Sequence, residues 1–147
     1  MNCISLLHAN SLLKLAQQST RSQQFALLNQ LFVIIEDVIC KNETLAMSYK
    51  IAADGLMLSW QFHVRTFKNF SFPSSWAVLT RTDALTLASR FYCVLVKMCP
   101  KCGAYWNDLG LALTMKSKIT KESSLAIKSV FNNLLDDLYL SFHVSIS

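Results

Sequence analysis

Apolar residues recur every three or four positions between Asp83 and Met98, a spacing that places them along the side of an α-helix. They are Leu85, Leu87, Ala88, Phe91, Tyr92, Leu95, Val96 and Met98. Because they cover well over half of the helix circumference, we predict a helix that is largely buried. Thr82 or Asp83 is expected to cap its first turn, and Pro100 prevents its continuation past Cys99.

The same periodicity predicts helices along the rest of the chain, over about residues 4–18, 23–40, 44–64, 105–115 and 122–142. Short links leave neighbouring helices antiparallel. The expected core residues of the first helix are Ile4, Leu7, Leu12, Leu15 and Ala16. Those of the last helix are Leu125, Ile127, Val130, Phe131, Leu134, Leu135, Leu138 and Tyr139. The pattern therefore predicts stacked antiparallel helices.

Two stretches are expected to interrupt this helical pattern. The pair Asp54-Gly55 is expected to kink the third helix, since Gly costs about 1 kcal/mol relative to Ala inside a helix. The basic stretch 116–121 is predicted to be a solvated connection between the last two helices.

Three leucines suggest an internal repeat. Leu45, Leu85 and Leu125 are spaced 40 residues apart, and apolar residues follow each of them two, six and thirteen positions later. A period near 40 residues with one buried helix per unit is typical of armadillo and HEAT repeats. Chance alignment in a leucine-rich helical chain is the alternative.

Composition supports an all-α fold. The chain has 147 residues, of which 52 % are hydrophobic and 16 % charged, with 3 Gly and 2 Pro. So few turn residues disfavour a sandwich or a barrel, and the length fits one helical domain over residues 1–147. The apolar excess predicts a face covered by a partner, self-association, or a piece of a longer solenoid.

The sequence predicts a cytoplasmic or nuclear protein without a transmembrane segment. Charged residues interrupt each apolar run before the roughly 18 residues that a membrane span needs, and the uncharged first thirteen residues lack a basic lead-in. The 5 cysteines are odd in number and scattered, as is usual in a reducing compartment.

No motif predicts catalysis, a cofactor or a small-molecule substrate. The sequence has no glycine-rich phosphate loop and no HExxH, and His8, His63 and His143 lack a nucleophile context. The net charge of +5 is spread along the chain rather than clustered, which disfavours nucleic acid as a partner. We therefore predict a protein that is not an enzyme.

The segment 60–76 is unusually aromatic and lacks a clean helical period. It contains Trp60, Phe62, Phe67, Phe70, Phe72 and Trp76. We interpret residues 65–76 as an ordered loop between repeats. These six residues are the candidate partner-binding residues, because exposed aromatic side chains beside Arg65 and Lys68 are typical of interfaces. The favoured alternative is that the loop folds back and plugs one end of the helical stack.

The only CxxC sequence is Cys99-Pro100-Lys101-Cys102, which resembles one half of a zinc-ribbon site. A structural zinc site needs four ligands, and no second CxxC is present. A reactive cysteine usually opens a helix, whereas Cys99 is predicted to close one. We therefore predict a structural role for both cysteines and no metal site.

The segment from Asp83 to Met115 resembles part of an armadillo or HEAT repeat: a long buried helix (ALTLASRFYCVL) is followed by a break and a second helix (WNDLGLALTM). Similar patterns occur in TLAMSYKIAADGLML and SLAIKSVFNNLLDDL. The resemblance implies a right-handed array of about three repeats. The aromatic insertion and the missing asparagine ladder depart from the family.

The family implies a non-enzymatic scaffold or adaptor that binds a protein partner. One alternative is a compact helical bundle with a helix-binding groove, of the Bcl-2 type. Trp106-Asn107-Asp108-Leu109-Gly110 resembles the central motif of those proteins, but the residue order differs and an arginine is missing. A zinc-dependent nucleic-acid-binding module is the other alternative.

Overall fold

The computed structural model describes the backbone of residues 2–146 and the side chains of residues 3–122, together with some side chains between 124 and 136. Every regular element in this range is helical. The helices are α1 (Asn2–Gln18), α2 (Arg21–Lys41), α3 (Ala46–Ser59), α4 (Val64–Phe67), α5 (Arg81–Met98) and α6 (Gly103–Ile146), with a 3-10 turn at Ser74–Trp76. The all-α prediction is confirmed.

Helix α3 lies at the centre of the packing. It packs against α1, α2 and α5, and α6 packs against α5. The two-residue link 19–20 makes α1 and α2 an antiparallel hairpin. Helices α3 and α5 are also antiparallel, because Asp54 in the middle of α3 contacts Tyr92, whereas Trp60 at its end contacts Arg81 at the start of α5.

A glycine brings α2 and α3 close together. Leu31 and Phe32 of α2 are fully buried, and Gly55 of α3 faces them. A Cβ atom on Gly55 would lie 3.0 Å from Phe32 Cε1 and 3.1 Å from Leu31 Cδ2. Helix α3 runs without a break through Gly55. The glycine therefore serves close packing, and the predicted kink stays a prediction.

The N-cap of α5 lies two residues before Thr82, the first of the two predicted capping residues. Thr80 is the N-cap: its hydroxyl accepts a hydrogen bond from the Asp83 backbone N–H, while the Asp83 carboxylate accepts one from the Thr80 N–H. This reciprocal pair is a capping box. Thr82 therefore lies inside the first turn. The helix ends at Met98, directly before Cys99 and Pro100, as predicted.

The predicted connection at 116–121 is wrong, because α6 is continuous through it. No Gly or Pro follows Gly110 in the sequence, so nothing ends the helix there. Thr120 donates its hydroxyl to the backbone carbonyl of Lys116, which satisfies this polar side chain within the helix. The basic residues Lys118 and Lys121 are exposed. The stretch is solvated, but it is helical.

The three leucines of the predicted repeat lie in unlike environments. Leu45 precedes α3 and is half-buried, Leu85 is fully buried in α5, and Leu125 is 66 % exposed in α6. The three positions therefore do not share one environment, and the 40-residue repeat stays a prediction. Of the other core residues predicted for the last helix, Leu135 is also exposed. The remaining six, Ile127, Val130, Phe131, Leu134, Leu138 and Tyr139, lie outside the described side chains.

The core prediction for α1 is correct in part. Leu12 and Ala16 are buried, but Ile4, Leu7 and Leu15 are 73 %, 66 % and 53 % exposed. An apolar stripe on a helix marks a face that is suited to burial, and here that face has no neighbour among the described residues. Helix α2 is long and apolar enough, by length and composition alone, to cross a membrane. The prediction of no membrane span stays a prediction.

Candidate functional site

The six aromatic residues predicted to bind a partner lie inside the fold or at its edge. Phe62, Phe67 and Phe70 are buried, with exposed fractions of 5 %, 4 % and 8 %. Trp60, Phe72 and Trp76 are half-buried and pack against the core. The segment therefore plugs the helical stack, which was the favoured alternative. It also contains α4 and the 3-10 turn, so residues 65–76 are not a plain loop.

Phe70 lies at the centre of this plug. Its ring centroid is 4.5 Å from that of Phe25, 5.1 Å from that of Phe62 and 5.5 Å from that of Phe72. Phe32 of α2 contacts the cluster through Phe72, at 5.1 Å. Tilted and edge-on ring pairs at these distances are favourable. The aromatic side chains thus attach the link between α3 and α5 to α2, and they form no exposed aromatic patch.

Trp60 is tied to the start of α5 by Arg81. The Arg81 Nε–H donates a 2.6 Å hydrogen bond to the Trp60 backbone carbonyl, and the Arg81 guanidinium carbon lies 5.3 Å from the indole ring centroid. The Trp60 Nε1–H is buried without a hydrogen-bond partner among the described residues. Arg81 therefore fixes the direction in which the chain leaves α3.

An open groove of about 500 Å³ lies beside the plug, between the start of α2 and the link from α3 to α4. Its lining residues are Arg21, Ser22, Phe25, Gln61, Phe62, His63 and Thr66. The Arg21 guanidinium carbon lies 4.9 Å from the Phe62 ring centroid. His63 Nδ1 accepts the Arg65 backbone N–H at 3.2 Å, so Nε2 carries the proton of the neutral ring. The groove thus combines an aromatic floor with hydrogen-bond donors.

A second polar cluster joins α3, α5 and α6. The Lys50 ammonium lies 2.7 Å from the Asp108 carboxylate and 2.9 Å from that of Asp54, and the Tyr92 hydroxyl donates to Asp54 at 2.6 Å. Burial alone lowers the pKa of Lys50, but the hydrogen bonds that its ammonium donates to Asp108 and Asp54 outweigh burial and raise the pKa above 10.5. Burial and the Asp54 carboxylate raise the pKa of Tyr92. These groups satisfy one another.

The two cysteines of the CxxC sequence frame the turn between α5 and α6. Cys99 follows the last residue of α5, and Cys102 precedes the first residue of α6. Both thiols are free and half-buried, and the Cys102 N–H donates to the Cys99 carbonyl at 3.1 Å. Within the described residues, no group of three or more His, Cys, Asp or Glu side chains is placed to hold a metal.

The outer face of the α1–α2 hairpin is apolar and carries no charge in its two shallow depressions. One is lined by Leu15, Ser19, Gln23, Ala26 and Leu27. The other is lined by Asn29, Gln30, Val33, Ile34 and Ser71. Val33 on α2 is 61 % exposed, and Ile4, Leu7 and Leu15 form an exposed apolar stripe along α1. We call this surface the outer hairpin face.

Neither the groove nor the outer hairpin face is evident in the sequence pattern. Arg21 and His63 are 42 positions apart in the sequence, so only the tertiary packing brings them together. The one sequence feature that points to the groove is Arg21, a basic residue at the start of α2, whose first turn has no acidic residue. No family model matches this chain, and no significant match was found among curated proteins or solved structures.

Proposed function

We propose that this chain is a non-enzymatic scaffold for protein–protein interaction, built from stacked helical hairpins. The observation that carries the proposal is the outer hairpin face, where Ile4, Leu7, Leu15 and Val33 are each more than half exposed. Adjoining apolar side chains on a protein surface are typical of an interaction site.

The occupant that we propose for the outer hairpin face is a second copy of this chain. The net charge of +5 opposes the approach of two copies, and the depressions of this face are lined only by uncharged residues. A two-fold interface uses the same patch on both copies, so depressions without charge can face each other. Two copies can therefore bring these depressions together without placing like charges opposite each other inside them.

We also propose that the helical hairpins stack as in armadillo or HEAT repeats. The α1–α2 hairpin and the antiparallel pair α3 and α5 form two successive layers, and α6 adds to the second. Such arrays grow by adding helices to an exposed apolar face. The unequal positions of Leu45, Leu85 and Leu125 remove the support that the 40-residue spacing had given.

Sedimentation equilibrium of the full chain tests the proposal. We expect a concentration-dependent dimer, and we expect Leu7→Glu and Val33→Glu each to shift the chain to monomer, because both place a charge in the interface. Leu79→Glu is the matched control, since Leu79 is 82 % exposed but lies outside the outer hairpin face. A wild-type chain that stays monomeric at high concentration would refute self-association, and equal effects of all three variants would refute the assigned face.

A further inference from the structure

We propose that the groove at the start of α2 binds a carboxylate that is attached to an apolar side chain, as in an acidic or C-terminal segment of a peptide. The proposal goes beyond the scaffold function, because the groove and the outer hairpin face have no lining residue in common. It rests on how Arg21 is held, on the charge around it and on the aromatic floor below it.

Arg21 is held in place by a buried amide. Gln24 is only 7 % exposed, and its Nε2 donates a 2.9 Å hydrogen bond to the Ala16 carbonyl at the end of α1. Its Oε1 accepts a 3.2 Å hydrogen bond from Arg21 Nη1. The guanidinium also stacks over Phe62. A cation that is already oriented loses little conformational entropy when it binds a ligand.

The charge of Arg21 is not neutralised by an internal partner. Among the residues that the structure describes, no carboxylate lies within ion-pair distance of its guanidinium. A guanidinium has five N–H donors, and Gln24 takes up one of them. The lining contains no acidic residue, and the first turn of α2 adds the partial positive charge of a helix start. The groove is therefore complementary to an anion.

The remaining lining residues define the rest of the ligand. Ser22 and Thr66 supply hydroxyl groups, and His63 presents its Nε2. The Arg21 guanidinium already covers Phe62, but Phe25 is only half-buried, so an anion surrounded only by polar groups would leave the Phe25 ring uncovered. An apolar side chain next to the anion covers it.

A single guanidinium favours a carboxylate over a phosphate group. A carboxylate carries one negative charge and matches the planar fork of arginine through two parallel hydrogen bonds. Phosphorylated motifs are usually bound by clusters of arginine residues. Arg21 is the one Lys or Arg in the lining of the groove. We therefore assign the site to a peptide carboxylate.

The test is a nuclear magnetic resonance titration of the ¹⁵N-labelled full chain with three probes: N-acetylphenylalanine as the carboxylate, its neutral amide and phenyl phosphate. We expect N-acetylphenylalanine to shift the backbone amides of Arg21, Phe62 and Thr66 in a saturable way, with a dissociation constant of about 1 mM. The neutral amide is expected to bind at least about tenfold more weakly. Tighter binding of phenyl phosphate than of N-acetylphenylalanine would overturn the assignment to a carboxylate.

The matched variants are Arg21→Gln and Arg90→Gln, which remove the same charge from the groove and from an exposed position on α5. Arg21→Gln is expected to weaken binding of N-acetylphenylalanine by about tenfold or more, and Arg90→Gln to leave it unchanged. Equal affinity for the carboxylate and the amide, equal effects of the two variants, or no saturable shift would each overturn the proposal. None of these results depends on dimer formation, because the groove resonances are read directly.

Discussion

Lys50 on α3 and Asp108 on α6 form an ion pair of 2.7 Å between residues that are 58 positions apart. Lys50 also pairs with Asp54, four residues along its own helix. The side chains of these three residues are between 18 % and 29 % exposed, so the surrounding protein excludes much of the water. One cation thus pairs with two carboxylates and fixes the start of α6 against the centre of the fold.

Removal of Lys50 should destabilise the fold more than removal of a surface lysine. We expect Lys50→Met to lower the free energy of unfolding by about 1–3 kcal/mol, because Asp54 and Asp108 lose their cation in a partly buried site. Lys41→Met is the matched control, since Lys41 pairs with Asp37 at the same helical spacing but is 62 % exposed. That variant should cost about 0.5 kcal/mol or less. Urea denaturation measures both values, and equal losses would contradict the prediction.

The same cluster predicts a pH dependence. The pKa of Lys50 is raised in the folded state. The stabilisation by the Lys50 ammonium is therefore complete below pH 10.5 and is lost as the pH rises through the folded-state pKa. The difference in unfolding free energy between wild type and Lys50→Met should therefore be constant up to about pH 10 and shrink above it. Other groups that titrate at high pH contribute to the unfolding free energy of both proteins, so their contributions cancel in this difference. A difference in unfolding free energy that grows above pH 10.5 would contradict the raised pKa of Lys50.

Two glycines in helices should respond to alanine in opposite directions. Gly55→Ala places a methyl group about 3 Å from side-chain atoms of the fully buried Phe32 and Leu31, so we expect overpacking and a loss of about 1–3 kcal/mol. Gly110→Ala meets nothing within 4 Å, so the higher helix propensity of alanine should stabilise the protein by up to about 1 kcal/mol. Thermal unfolding of the two variants gives the comparison. Stabilisation by Gly55→Ala would show that α2 and α3 are not in close contact there.

Local sequence predicted the existence of most helices but not their limits. Pro100 ends α5 where expected, because it removes a backbone donor whatever the surroundings are. Thr80 and Thr82 are both capping residues by type, and what separates them is the reach of the Asp83 carboxylate back to the Thr80 N–H. In the stretch 116–121, basic side chains are equally compatible with a link and with a solvated helix. Only the absence of Gly and Pro after Gly110 pointed to a helix.

The candidate sites were harder to predict because they depend on tertiary packing. The aromatic content of 60–76 indicated either a plug or a binding surface, and contacts with Phe25 and Phe32 of α2 decide for the plug. In α1, Ile4 and Leu12 have the same hydrophobic character, yet one is exposed and the other is buried. Helical periodicity shows which faces are apolar. It does not show which of them has a neighbour.

The capping box of α5 yields a prediction at low pH. Burial alone raises the pKa of Asp83, but hydrogen bonds from the backbone N–H groups of Thr80 and Leu79 outweigh it and lower the pKa below 3.8. The ionised Asp83 carboxylate therefore stabilises the folded state fully above pH 3.8, and this stabilisation is lost as the pH falls through the folded-state pKa.

Asp83→Asn keeps an oxygen acceptor at this position but removes the charge that favours the start of a helix. We expect the variant to be less stable than wild type by about 0.5–1 kcal/mol at neutral pH, and we expect the difference to disappear in acid. Denaturation in urea at a series of pH values measures this difference. Thr80→Val is the companion variant: it removes the hydroxyl without changing any charge, so its loss should persist in acid. A pH-independent difference for Asp83→Asn would mean that the box acts through hydrogen-bond geometry alone.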